Sequence, residues 1–136
     1  MGAAEKYTST NSLDFDNIDE NGDVIRKNVI LMNSDVIEGA PYFTYTWFYK
    51  ETGDMQETHT HDFDEHIGWV GTDPDDPTDL GATVEWFQDG EWITITKSTV
   101  IFIPAGVPHC PYRIKDVKRP IAHWSAGATN SYKQNK

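Results

Sequence analysis

From Val24 onward the sequence consists of short apolar or alternating segments separated by Gly, Pro, Asn and Asp, and this pattern constrains the fold more than any other feature. A two-residue period places apolar side chains on one face of a strand, whereas an amphipathic helix needs a period of about 3.6 residues. No segment shows the helical period and none repeats another. A single all-β domain is therefore predicted for the 136 residues.

Turn residues divide this region into eight predicted strands. Asp89 and Gly90 separate two apolar segments, and this pair readily supplies the two positive φ angles of a type I′ hairpin turn. Residues 72–81 contain four Asp and two Pro, so they are expected to form a long acidic loop, either a solvated surface or a lid. The predicted strands span residues 28–32, 42–52, 66–71, 82–88, 91–95, 100–103, 110–114 and 121–125.

The segments that flank the predicted strands are polar. Residues 1–23 are interpreted as an N-terminal arm, residues 24–128 as the folded domain, and residues 129–136 as a C-terminal tail. Little of the function is expected to reside in the arm.

Charge narrows the classes of partner. The chain has 11 basic and 22 acidic residues, a formal net charge of −11, and such a field repels nucleic acid and anionic membranes. No apolar segment approaches the roughly 18 residues of a membrane helix, and residues 1–11 do not resemble a signal peptide, so a cytoplasmic location is expected. A single cysteine, Cys110, excludes an intrachain disulfide and multi-cysteine zinc motifs. Any metal must therefore be held by histidine and carboxylate.

Histidines are concentrated in two short windows. On an extended segment His59 and His61 project to the same face, and Glu65 can return to that face after a tight turn. The second window, PAGVPH, is a rigid turn that presents His109 at the start of the following strand. These four residues are the candidate ligands of a metal ion; the alternative is a group of ordinary surface histidines beside an acidic turn.

Both windows resemble the two motifs of the cupin superfamily. The first match runs from Gly53 through His59, His61 and Glu65 to Gly71, and the second is PAGVPH at residues 104–109. They occur in the expected order with a hairpin between them, and the surrounding resemblance covers about residues 40 to 125. The resemblance implies a double-stranded β-helix, or jelly-roll barrel, with His59, His61, Glu65 and His109 as metal ligands.

Two positions depart from the cupin pattern. Ser98 stands where a glycine usually opens the second motif, and Arg113 stands where an asparagine usually closes it. On a regular strand Arg113 would share the inward face of His109. It is therefore a candidate catalytic residue that clamps a substrate carboxylate or enolate, or else a partner of an interior acid.

The remaining histidines and the cysteine have competing interpretations. His123, in the last apolar strand, is either a hydrogen-bonded interior histidine or a catalytic acid or base. His66 should point away from Glu65 and take no part in the site, the alternative being that it replaces Glu65 as a ligand. Cys110 is expected to be a packed, unreactive thiol.

Aromatic residues alternate in the segment YFTYTWFYK at residues 42–50. Tyr45 and Trp47 share one face with Phe43 and Tyr49, and Trp69 lies four residues beyond Glu65. Most of these rings are expected to fill the core, but Tyr45, Trp47 and Trp69 are predicted to wall the substrate pocket and to favour a planar substrate.

Together these features predict a small metal-dependent cupin with one divalent ion, Fe(II) or Mn(II) being favoured and Ni(II) or Zn(II) possible. We expect an enzyme that acts on a small oxygenated or carboxylated molecule chelated to the metal, of the dioxygenase or the isomerase or lyase type. The alternative is a non-catalytic cupin that binds a small molecule. A homodimer is expected because small jelly rolls leave sheet edges and apolar faces exposed.

Overall fold

A computed structural model describes residues 2–12, 16–129 and 132–136. Apart from one 3-10 turn at Glu5–Tyr7, the regular structure of these residues is entirely strand, which confirms the all-β prediction. The strands are β1 (Asp16–Ile18), β2 (Val24–Met32), β3 (Tyr42–Phe48), β4 (Glu65–Gly71), β5 (Asp79–Gln88), β6 (Glu91–Lys97), β7 (Thr99–Ile103), β8 (His109–Lys115) and β9 (Ile121–Gly127).

Two antiparallel sheets form a jelly roll. The larger has the order β1-β2-β3-β9-β4-β7, and the smaller has the order β6-β5-β8. Each face of the core is built from alternate residues of the strands, as a two-residue period requires. The side chains between the sheets include Phe48, Trp69, Leu80, Val84, Trp86, Ile103, Tyr112, Ile114 and Ile121.

The turn between β5 and β6 confirms the predicted hairpin. Asp89 and Gly90 have φ angles of 50° and 85°, and Gln88 pairs with Glu91 across the turn. The acidic loop is shorter than predicted, because β5 begins at Asp79 and not after residue 81. Asp79 pairs with Arg119, whose guanidinium offsets the charge that was expected to keep this segment out of a sheet.

The polar arm contributes a strand that the sequence pattern did not indicate. β1 pairs with β2, and β2 begins at Val24, four residues before the predicted strand. Upstream of β1, backbone hydrogen bonding joins Leu31 to Asn11. No helix in the described part of the chain is long and apolar enough to cross a membrane.

Candidate metal centre

The two histidine windows meet at one end of the jelly roll. Their contact is a backbone bridge in which the amide of His59 donates to the carbonyl of His109 and the amide of His109 donates back, both at 3.1 Å. Gly106, with a φ of 83°, permits the turn that leads into β8, and its amide donates to the carbonyl of His61 at 2.9 Å. The turn chemistry of the second window therefore positions His109 against the first window.

Four side chains converge at this junction. The ligand atoms of His59, His61 and His109 all lie within 4.8 Å of one another. Glu65, the first residue of β4, places Oε1 3.4 Å from Nε2 of His109 and Oε2 3.6 Å from Nε2 of His61. All four residues are buried, each with 4% or less of its surface exposed. The structure thus brings together the four candidate ligands, which are 50 residues apart at the extremes.

Backbone carbonyls orient the three imidazoles. The Nδ1 atom of His59 lies 2.7 Å from the carbonyl oxygen of Glu57, that of His61 lies 2.5 Å from Lys133, and that of His109 lies 3.0 Å from Val107. Because a carbonyl oxygen can only accept, each Nδ1 carries the proton. Each Nε2 is left with a free lone pair, which is the arrangement that metal-bound histidines use.

Glu65 is held in its ionised form. Its Oε2 accepts hydrogen bonds from the hydroxyl of Tyr42 and, at 3.2 Å, from the hydroxyl of Ser125. Burial opposes ionisation, but the hydrogen bond from Tyr42 helps to keep the pKa of Glu65 below its usual range. Burial and the neighbouring carboxylate raise the pKa of Tyr42, so the phenol stays protonated and remains a donor.

The donor set fits a metal ion. The Nε2 atoms of His61 and His109 are buried without a hydrogen-bond partner, and they face a carboxylate that is itself an acceptor. Acceptor atoms that face one another in a buried site repel unless a cation or a proton lies between them. Three imidazole nitrogens and one carboxylate oxygen suit a borderline divalent metal. The buried histidine group can therefore bind a metal ion.

A cavity of about 480 Å³ opens beside these residues. Its wall is mixed, with polar groups on β3 and β9 and aromatic rings on the smaller sheet. The Trp86 ring stacks on His109 with centroids 6.1 Å apart. Residues bordering the cavity include Arg26, Asp35, Tyr42, Thr44, His59, Glu65, Ile67, Trp86, His109, Cys110, Tyr112, His123, Ser125 and Tyr132.

Arg113 does not face this cavity, so its predicted role as a clamp for substrate is wrong. Its Nε donates to Asp54 at 2.8 Å, and its guanidinium lies 4.2 Å from the centre of the Trp92 ring on the outside of the smaller sheet. The regular alternation from His109 fails because the pairing of β5 with β8 shifts between Trp86 and Gln88. Beyond this shift Tyr112 faces inward and its neighbour Arg113 faces outward.

The aromatic wall predicted from β3 and β4 is also not found. Tyr45 and Trp47 share a face as expected, but that face is the outer one, and neither borders the cavity. There the indole of Trp47 donates to the hydroxyl of Tyr45 at 3.3 Å. Trp69 is fully buried and packs against Tyr112 below the cavity instead of lining it. The inward residues of β3 are those at even positions, beginning with Tyr42.

His123 borders the cavity as a hydrogen-bonded interior histidine. Its Nδ1 lies 2.9 Å from the carbonyl oxygen of Gly68, and its ring stacks on Trp69 with centroids 3.9 Å apart. Burial lowers the pKa of His123 to about 3, so the ring is neutral near pH 7 and is not an acid there. These contacts favour the structural interpretation over the catalytic one.

The two other residues considered are not in the ligand set. His66 is exposed on the outer face and accepts a hydrogen bond from the indole of Trp124 at 3.1 Å. Cys110 is buried, and burial raises the pKa of its thiol to about 12, as expected for a packed and unreactive cysteine.

Sequence reasoning missed several groups that act on the site. Tyr42 and Ser125 hold Glu65, but they belong to strands distant in sequence, and no local pattern marks them. Tyr132 packs on His61 with ring centroids 4.9 Å apart, and the carbonyl of Lys133 binds the same histidine. Arg26 borders the cavity from the first part of β2, which lies between the predicted arm and the predicted strand.

No protein-family profile matches the chain, and no curated protein matches it. Among solved structures, it is similar to KdgF from Halomonas sp. (13% identity, 77% of this chain and 79% of that chain, TM-score 0.45). It is also similar to an RmlC-like cupin from Shewanella frigidimarina (14% identity, 76% of this chain and 75% of that chain, TM-score 0.44). A third similar structure is the polyketide cyclase RemF from Streptomyces resistomycificus (19% identity, 82% of this chain and 70% of that chain, TM-score 0.47).

These likenesses are too distant to indicate an activity. The fold itself rests on the two antiparallel sheets and on the way they bring the first histidine window and Glu65 against His109. This chain is therefore a small protein of the cupin fold.

Proposed function

We propose that the protein binds one divalent metal ion through His59, His61, Glu65 and His109, and that it is an enzyme acting on a small oxygenated or carboxylated molecule that coordinates this metal. One observation carries the proposal. Four buried acceptor groups converge at the edge of a cavity of about 480 Å³, and the Nε2 atoms of His61 and His109 have no hydrogen-bond partner.

Four protein ligands leave one or two coordination positions for water and substrate on a metal that takes five or six ligands. When bound, such an ion polarises a carbonyl or hydroxyl group, lowers the pKa of a bound water or, if it is iron, activates dioxygen. The mixed ligand set is compatible with Fe(II) or Mn(II), which we favour, and with Ni(II) or Zn(II). Activation of dioxygen would make the protein a dioxygenase, and polarisation of a carbonyl or hydroxyl group would make it an isomerase or lyase.

The protein's own groups would prepare this chemistry. Tyr42 and Ser125 fix the orientation of Glu65, so that little reorganisation is needed when a cation is bound. The hydroxyl groups of Thr44 and Ser125 border the cavity and can accept or donate hydrogen bonds to an oxygenated ligand. Trp86 and Tyr112 form an apolar wall that excludes water from one side.

Metal analysis of the purified protein tests the first half of the proposal. Wild-type protein should hold about one equivalent of metal, and His61→Ala and His109→Ala should lose most of it because an incomplete ligand set binds weakly. His66→Ala is the matched control, since this neighbouring histidine is exposed on the outer face. Stoichiometric metal in both ligand variants would contradict the assignment.

Turnover assays test the second half. The metal-loaded protein should consume oxygen with a diketone or catechol substrate, or should isomerise or cleave a sugar acid, and His61→Ala should abolish the reaction. Products are sought by mass spectrometry. Saturable binding of a compound without any detectable product would instead identify a non-catalytic binding protein.

A further inference from the structure

Arg26 is a cationic residue at the cavity wall, and it forms no ion pair with any acidic residue whose side chain the structure describes. It lies on β2, borders the cavity, and is the only lysine or arginine among the bordering residues that the structure describes. Its Nε is buried and makes no hydrogen bond. Its guanidinium carbon lies 5.6 Å from the centre of the Phe48 ring, so the charge rests against an aromatic surface.

Two aspartates in the turn before β2 are already engaged with another cation. Asp19 lies 2.7 Å and Asp23 lies 3.1 Å from the ammonium group of Lys50. The two other arginines of the chain, Arg113 and Arg119, each form an ion pair with an aspartate. In a protein with a net charge of −11, a guanidinium with no carboxylate partner among the described residues is unusual, and a buried donor without an acceptor is unfavourable.

Strand register gives the distance between Arg26 and the candidate metal centre. Arg26 pairs with Phe48 across β2 and β3, whereas Glu65 pairs with Gly127, which pairs with Tyr42 at the other end of β3. These two levels are six residues apart, roughly 20 Å along the backbone. A single cavity borders Arg26 as well as His59, Glu65 and His109, so one bound molecule can contact both levels.

We propose that the cavity selects small organic anions whose carboxylate pairs with Arg26 while an oxygenated group at the opposite end coordinates the metal. This inference rests on the proposed function and specifies its substrate class. A guanidinium binds a carboxylate through two parallel hydrogen bonds, which a neutral group of similar size cannot reproduce. Arg26 is thus assigned as an anion-binding residue that determines specificity.

Two matched sets of probes test the proposal. The first set comprises 2-oxo acids of five to seven carbons that carry a second, distal carboxylate, beginning with 2-oxoglutarate. The second set has the same chelating head and a methyl group at the distal end, beginning with 2-oxopentanoate. Their dissociation constants are measured by calorimetry on Mn(II)-loaded wild-type protein, on Arg26→Gln, and on Arg113→Gln, which removes a charge from the outer face.

The wild-type protein should bind at least one probe with a distal carboxylate about tenfold or more tightly than the matching probe with a methyl end. The methyl-ended probe cannot form the charge-assisted pair with Arg26 in this partly buried site. This ratio should fall to near one in Arg26→Gln and persist in Arg113→Gln. Equal affinities in the wild-type protein, a ratio that survives Arg26→Gln, or no saturable binding by any distal carboxylate would overturn the proposal.

Repeating the titrations after EDTA treatment separates this inference from the metal proposal. Removal of the metal should weaken the binding of both sets of probes, and the preference for probes with a distal carboxylate should remain. If EDTA changes neither affinity but the preference still depends on Arg26, the metal proposal fails and the anion site stands. If EDTA weakens binding but the preference is absent, the anion site fails and the metal proposal stands.

Discussion

The C-terminal residues 132–136 are predicted to strengthen metal binding, although they supply no ligand. The carbonyl of Lys133 accepts from Nδ1 of His61 at 2.5 Å, and Tyr132 packs on the same ring. Thr60 and Asn135 exchange two backbone hydrogen bonds of 2.7 Å, and the Asn135 side chain donates to Asp62 at 2.9 Å. The tail therefore braces both sides of the His61 backbone and fixes the tautomer of its ring.

Deleting residues 132–136 removes all of these contacts at once. Loss of a partner that orients a ligating histidine typically weakens metal binding 10- to 100-fold. This corresponds to about 1.4–2.7 kcal/mol of binding free energy. The three hydrogen bonds to Thr60 and Asp62 contribute about 1 kcal/mol each to folding, so the truncated domain should still fold.

The assay is competition for Mn(II) against a chelating dye, with circular dichroism as the check on folding. Deletion of Lys136 alone is the matched control, because it removes only an exposed ion pair with Glu57 and should leave the apparent Kd unchanged. A folded truncated protein whose Kd lies within about twofold of the wild-type value would refute the argument.

Four further predictions follow from the described contacts. In metal-free protein, the pKa of His123 is lowered from 6.5 to about 3. Between these pH values the unfolded chain binds a proton at His123 and the folded protein does not, so the free energy of unfolding falls as the pH drops below 6.5. In urea denaturation, the free energy of unfolding should fall between about pH 7.5 and about pH 5 by about 2 kcal/mol less in His123→Phe than in the wild-type protein. An equal fall in both proteins would contradict this prediction. Gly71→Ala should lower the melting temperature sharply because its Cβ would lie 1.9 Å from a backbone oxygen of β5, whereas Gly53→Ala, with open space around it, should not. Arg113→Ala should leave metal content and ligand affinity unchanged, since its ion pair lies outside the barrel, and a loss of either would restore a role in the site. We expect a homodimer in sedimentation experiments, and Phe102→Glu on the exposed edge strand β7 should shift it towards monomer; a wild-type monomer at micromolar concentration would contradict this expectation.

Local features of the sequence determined the fold class and the position of the candidate ligands. Two-residue alternation and the Asp89–Gly90 turn depend on neighbouring residues alone, so they survive in the folded protein. The same is true of the spacing of His59 and His61 and of the turn before His109. The resemblance of the two windows to the cupin motifs, and not their local spacing, implied that they converge.

Tertiary structure decided which face of each strand is buried and which distant groups meet. Alternation shows that Tyr45 and Trp47 share a face, but only pairing with the neighbouring strands determines that this face is the outer one. A register shift between β5 and β8 turned Arg113 outward, and strand parity cannot reveal such a shift. The Lys133 carbonyl reaches His61 from 72 residues away, because a buried polar atom is satisfied by whatever the completed fold places beside it.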